Sequence, residues 1–121
     1  MNSIRRVTVV GLGTMGTQIA IQAAAYGYEV SGFARNPAVF GDMQAKVRGA
    51  MQMTRKGPTF PIEHWAEHAS RVQLFDDLAR ATSTADLVIE SIPEVLETKR
   101  TLFAQLDELA PAHAILASNS S

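Results

Sequence analysis

The stretch Val7-Thr8-Val9-Val10-Gly11-Leu12-Gly13-Thr14-Met15-Gly16 decides the fold. It joins a β-branched run to a G-x-G-x-x-G turn, and an Ala- and Ile-rich segment with helical spacing follows from Met15 to Tyr26. Glycines in this pattern say little alone; placed between a strand and a helix they are informative. Each has its own task. Gly11 permits the tight turn, Gly13 lets the main chain approach a pyrophosphate without a Cβ in the way, and Gly16 lets the helix pack close to the strand. The helix N-terminus then offers N–H groups and a partial positive charge to phosphate. Gly11, Leu12, Gly13, Thr14, Met15 and Gly16 are therefore candidate pyrophosphate-binding residues. The plain alternative is a generic glycine-rich turn.

Outward from this turn, near-continuous apolar runs predict buried parallel strands at Val7–Val10, Val30–Phe33, Leu87–Ile89 and Ala114–Ala117, with a weaker one at Val72–Phe75. Helical patterns lie between them. Met15–Tyr26 ends at Gly27, a helix stop. Ala38–Lys56 places Phe40, Met43, Val47, Ala50 and Met51 on one face and ends at Gly57-Pro58. Leu96–Leu109 repeats leucines at helical spacing and is followed by Pro111. Gly57–Ser70 reads as a loop with a short helix. Met43, Met51 and Met53 read as core or domain-contact residues. Strands and helices alternate, which predicts a doubly wound α/β domain: three layers, αβα, around a mainly parallel sheet.

The chain has 121 residues, one domain's worth, and 46% are hydrophobic, enough for a buried core. Eleven basic residues against twelve acidic ones give a net charge of −1, which removes the electrostatic argument for nucleic acid or an anionic membrane surface. No apolar run approaches the ~18 residues of a membrane span, and no signal-peptide pattern opens the chain. The absence of cysteine excludes disulfides, thiolate catalysis and zinc–cysteine sites. A cytoplasmic domain without nucleic-acid or membrane partners is expected.

A dinucleotide site needs a group at the end of its second strand to meet the adenosine ribose. A carboxylate there holds both hydroxyls of NAD, whereas an arginine accommodates the 2′-phosphate of NADP. Here the strand end reads Phe33-Ala34-Arg35-Asn36-Pro37. With no acid at Ala34 and a guanidinium at Arg35, the coenzyme is NAD or NADP, with NADP favoured. Alternatively, Arg35 stacks on adenine and serves both.

The run Ala85-Asp86-Leu87-Val88-Ile89-Glu90-Ser91-Ile92-Pro93-Glu94, with Lys99, Leu102-Phe103, Leu106-Asp107 and Ala117-Ser118-Asn119-Ser120-Ser121, resembles the NAD-binding, Rossmann-type domain of the 3-hydroxyacyl-CoA dehydrogenase family. The resemblance covers nearly the whole chain. It implies hydride transfer between the nicotinamide and C3 of a 3-hydroxyacyl thioester. Glu94, Lys99 and Asn119 would lie at the nicotinamide side, and Ser121 would contact the substrate's 3-oxygen. It further implies a homodimeric full-length enzyme. The plain readings are solvated helix-end charges for Glu94 and Lys99, and a polar loop for residues 118–121.

Two positions depart from the family pattern. Ala34 stands where an acid is common. Ala50 stands where a serine contacts CoA, leaving only Arg55 or Lys56 to supply a cation. A carrier-protein thioester or a small hydroxy acid such as carnitine or gulonate therefore stays open as substrate. Oxidising an alcohol also needs a base, usually histidine. His64, His68 and His113 are not placed for it, so the chain reads as the nucleotide-binding part, 1–121, of a longer enzyme whose catalytic histidine and helical substrate domain lie beyond it. Two other classes compete. His64-Trp65-Ala66-Glu67-His68 spells H-x-x-E-H, an inverted zinc-hydrolase signature, against which Trp65 reads as a core residue on a solvated turn. A non-catalytic nucleotide-sensing domain is the second. No metal is expected.

Overall fold

The computed structural model describes residues 3–54, 57–92 and 96–118, with side chains from 96 to 98 excepted. Five strands, β1 (Arg6–Val10), β2 (Glu29–Phe33), β3 (Gln73–Phe75), β4 (Leu87–Glu90) and β5 (Ile115–Ser118), alternate with helices α1 (Thr14–Ala25), α2 (Phe40–Thr54), α3 (Trp65–Ser70), α4 (Leu78–Thr82) and α5 (Leu96–Leu109). The sheet is parallel throughout, in the order β3-β2-β1-β4-β5. The chain winds one way from β1 through β2 to β3, then returns to the other side of β1 as β4. That reversal opens a crevice at the carboxyl ends of β1 and β4, where open α/β sheets bind ligands. This is the doubly wound, three-layer domain that the strand–helix alternation predicts.

Side chains alternate across the central strand. Val7 and Val9 face a core with Ile21, Phe40, Val47, Trp65 and Val72. Val10 faces the opposite core with Val88, Leu102 and Leu106. Each such side chain contributes about 1.5–3 kcal/mol when fully buried. Thr8 shares the second side, where its hydroxyl donates to the Ala81 carbonyl at 2.6 Å. Helix α1 lies close against the sheet because its inner face is small: Gly16, Thr17, Ala20 and Ala24, with Ile21, are buried. Gly27, at φ +91°, ends it. The Gly27 and Tyr28 N–H groups donate back to the Ala24 and Ala23 carbonyls at 3.1 and 3.2 Å, a Schellman stop.

Several boundaries differ from the sequence reading. A 3-10 turn, Pro37–Val39, precedes α2, so Ala38 lies outside the helix. On α2, Phe40 and Val47 are buried and Met43 and Met51 pack on them, but Ala50 faces solvent. Met53 is 87% exposed, which removes it from the core. Val72 is buried in the turn before β3, and Ala114 belongs to a turn closed on the Pro111 carbonyl. Leu109, at the end of α5, is exposed. Helix α4 has no counterpart in the sequence reading; its N-terminus is capped by Asp77, whose carboxylate accepts the Arg80 N–H. Among the described residues, no helix is long and apolar enough to cross a membrane.

Candidate functional site

Three glycines build the β1–α1 turn in three ways. Gly11 has φ +101°, a backbone state that favours glycine. Its N–H donates to the Phe33 carbonyl at 2.9 Å, and a Cβ there would stand 2.8 Å from the Ser91 carbonyl oxygen. At Gly16, a Cβ would overlap the Gly11 carbonyl oxygen. The close approach granted by Gly16 is thus onto the turn, nearer than the strand–helix contact expected. Gly13 is the reverse case. It is the N-cap of α1, and no described residue places an atom within 4 Å of where its Cβ would be. The α1 first-turn N–H groups have no intrahelical acceptor. Among the described residues no side chain caps the helix, and its first turn carries no acid. An anion here meets amide donors and the positive end of the helix dipole.

The turn forms one wall of a cleft of about 680 Å3, with Thr14, Met15, Ala34, Arg35, Asn36, Ser91 and Ile92 around it. Thr14 donates a long hydrogen bond to Met43 Sδ at 3.9 Å. Leu12 brings only its main chain, because its side chain is buried and packs over Gly32. Thr17 is fully buried and ties the turn down, its hydroxyl donating to the Leu12 carbonyl at 3.1 Å. Ser91 and Ile92 belong to the loop after β4, where a crevice at the strand ends is expected, whereas Val39 escapes sequence reasoning, because only the fold brings it beside the glycines.

Ala34 continues β2, its N–H donating to the Phe75 carbonyl at 3.2 Å. Arg35 is exposed and lines both this cleft and a second one of about 790 Å3 between α4 and α5. Ile92 also belongs to both. The second cleft includes Phe33, Leu102 and Gln105, and the two acids Asp76 and Asp77. Arg35 therefore stands where the two spaces meet.

On the other side of the turn, β4 pairs with β1 and β5 so that Val10, Glu90 and Ser118 are level. Glu90 is fully buried. Its carboxylate accepts the Ile92 N–H at 2.6 Å and the Ser118 hydroxyl at 2.7 Å, and Lys99 Nζ lies 3.7 Å away. Lys99 is itself only 12% exposed, so it is not a solvated helix-end charge. Glu94, Asn119 and Ser121, and likewise Arg55 and Lys56, lie outside the described residues.

The histidines stand elsewhere. His113 Nε2 meets Asp86 Oδ1 at 2.8 Å, next to the amino end of β4 and opposite the clefts. The Arg5 and Arg6 N–H groups both donate to Asp86 Oδ2 at 2.9 Å. These donors first, and His113 after them, hold the Asp86 carboxyl down at about 2. In the H-x-x-E-H segment, Glu67 is bound by Arg71 at 2.8 Å and lies 3.5 Å from His64. His68 packs edge-on against Phe60, and Trp65 is buried with its indole N–H donating to Gln44. Among the described residues, no three His, Asp or Glu side chains gather as a metal-binding group.

The model of the 3-hydroxyacyl-CoA dehydrogenase NAD-binding domain matches residues 6–121. The chain belongs to this family. The domain is 37% identical to the L-carnitine dehydrogenase of Bacillus cereus over 99% of its length and 36% of the relative's. It is 32% identical to the mitochondrial hydroxyacyl-coenzyme A dehydrogenase of Sus scrofa, over 98% of its length and 39% of the relative's. The crystal structure of 3-hydroxybutyryl-CoA dehydrogenase from Escherichia coli K12 superposes with a TM-score of 0.80 at 31% identity, covering 99% of this domain and 25% of that chain. The domain thus spans little more than a third of the length of the curated relatives it matches.

Proposed function

We propose that this domain holds the nicotinamide coenzyme of an oxidoreductase that moves hydride between nicotinamide C4 and C3 of a 3-hydroxyacyl thioester. The observation that carries this reading is the open main chain at Gly13, set between the β2 end and the ends of β4 and β5. Gly11 to Gly16 would take the pyrophosphate on the α1 amides. Ala34 and Arg35 would meet the adenosine ribose. Lys99, Glu94 and Asn119 would border the nicotinamide, and Ser121 would orient the substrate's 3-oxygen.

The coenzyme would supply the hydride acceptor, and the chain's own groups bind and orient it. The proton of the substrate hydroxyl needs a general base. His113 is bound to Asp86 at the far end of the sheet, so we assign the base to a histidine outside residues 1–121, in a separate substrate domain. That the working protein is a cytoplasmic homodimer belongs to the same proposal; the Sus scrofa relative carries a mitochondrial name.

The preference for NADP is part of the reading. Arg35 lines the cleft at the β2 end, and Ala34 offers no carboxylate to repel a 2′-phosphate. Asp76 and Asp77 border the adjoining cleft with the opposite charge, which limits the gain. A second substrate reading has its own support: the Bacillus cereus relative at 37% identity is an L-carnitine dehydrogenase. Initial rates of the full-length protein with 3-hydroxybutyryl-CoA and with L-carnitine, each with NAD and NADP, test all of this. Turnover of the thioester supports the first reading, turnover of L-carnitine alone the second, and turnover of neither removes both.

A further inference from the structure

The cleft of about 790 Å3 between α4 and α5 carries two acids, and they differ. Asp77 is already engaged, because its carboxylate accepts the Arg80 N–H at 3.2 Å and caps α4. The Asp76 side chain is exposed and makes no hydrogen bond or ion pair with the described residues. It follows Phe75, the last residue of β3, whose carbonyl accepts the Ala34 N–H, so it stands beside the β2 end. Thr101 and Gln105 on α5 border the same cleft. Their groups donate as well as accept, whereas an ionised carboxylate only accepts. Val10, Phe33, Ile92 and Leu102 give the cleft apolar walls.

These features fit the base of the nucleotide whose ribose would lie at the β2 end. Arg35 and Ile92 line both clefts, so a base carried by a ribose at Ala34 and Arg35 reaches the second cleft past them. Apolar walls suit the faces of a purine, and a few polar groups read its edge. The exocyclic amine of adenine donates, whereas a carbonyl at the same place, as in hypoxanthine, accepts. Thr101 and Gln105 can meet either; an acceptor-only carboxylate meets the amine alone. We propose that Asp76 is a specificity-determining residue, which accepts the 6-amino group of the coenzyme's adenine and rejects a base with a carbonyl there. This rests on the dinucleotide reading above. The contact lies at the adenine end, so its effect falls on coenzyme binding.

The test titrates the full-length protein with NADH and NADPH, each beside its analogue that carries hypoxanthine in place of adenine. The ratio of dissociation constants, hypoxanthine form over adenine form, should be about three- to tenfold in the wild type, the worth of one hydrogen bond. Asp76→Ala removes the acceptor, and Asp76→Asn offers an amide that can turn to meet either base. Both variants should bring the ratio close to one. The two forms of each coenzyme carry the same phosphates, so the ratio cancels any effect of the Asp76 charge on a 2′-phosphate. Substitution at an exposed side chain without partners should leave the fold intact. A wild-type ratio of one, or a wild-type ratio kept in both variants, would overturn the proposal. If the wild-type protein binds none of the four compounds, the dinucleotide reading itself is wrong, and the inference goes with it.

Discussion

Gly16 lies so close under the Gly11 carbonyl that a Cβ on it would overlap the oxygen. The oxygen belongs to the main chain and the position of a Cβ is fixed by it, so neither moves without opening the turn. Gly16→Ala should therefore cost about 1–3 kcal/mol of stability, in the range of forced overpacking. Gly13→Ala meets open space and should cost no more than about 1 kcal/mol, the loss of a glycine N-cap. Yet it should weaken coenzyme binding, because the added methyl occupies the approach of the phosphates. Thermal unfolding and coenzyme titration of the two variants separate these effects. Equal stability losses would remove the distinction between a packing glycine and a contact glycine.

Asp86 links the chain start to the β4–β5 end through Arg5, Arg6 and His113. Its folded pKa of about 2 lies below the ordinary 3.8, so the folded state binds this proton less readily than the unfolded state. The stabilisation is full at pH values above the unfolded pKa and is lost as pH falls through about 2. Denaturant unfolding between pH 6 and pH 2 should show that decline. In Asp86→Asn it should be shallower, with lower stability already at pH 6. An unchanged acid slope in the variant would mean that another carboxylate is responsible.

At the β2 end, Arg35→Ala should weaken NADPH about tenfold, the low end for one charge-assisted hydrogen bond at an exposed position. NADH should be nearly unaffected. Ala34→Asp should turn preference toward NADH, because a carboxylate holds the ribose hydroxyls and repels a 2′-phosphate. Dissociation constants of the four coenzyme forms decide it. Tighter NADH in the wild type would assign Arg35 to adenine stacking.

Ser121→Ala in the full-length protein should lower kcat about 10–100-fold, the loss of one hydrogen bond to a reacting oxygen. Steady-state kinetics with 3-hydroxyacyl thioesters check this. A wild-type kcat would mean that the serine lies away from the reacting carbon.

Much of this architecture is legible in the chain itself, and the misses have physical reasons. The strand–helix alternation and the Gly27 stop follow from local spacing. Helix α4 is too short to show a period, although Asp77, its N-cap, marks its start. The apolar run ending at Ile89 hides that β4 continues to Glu90, since a carboxylate reads as a strand end. Its burial depends on Ser118 and Lys99, partners supplied by other elements. Leu12 sits among the glycines of the turn in sequence, but its side chain turns into the core because Gly32 leaves room for it. The loop after Ile89 is expected at the crevice from the sequence, but which of its residues meet the glycine turn, Ser91 and Ile92, is fixed by the pairing of β4 with β1. Local pattern thus gives the turn, whereas the walls around it depend on long-range pairing.

The exposure of Arg35 has an evolutionary consequence. Substitutions at exposed positions away from caps and packed groups usually change stability by no more than about 0.5 kcal/mol. On the proposed role of Arg35, a substitution there would exchange one coenzyme for the other with little disturbance to the hydrophobic cores on either face of the sheet. Gly16 and Glu90, wedged against main chain or sealed among partners, leave no such latitude. On the proposed reading, coenzyme choice would thus be open to change at the surface, while the frame of the glycine turn would tolerate little.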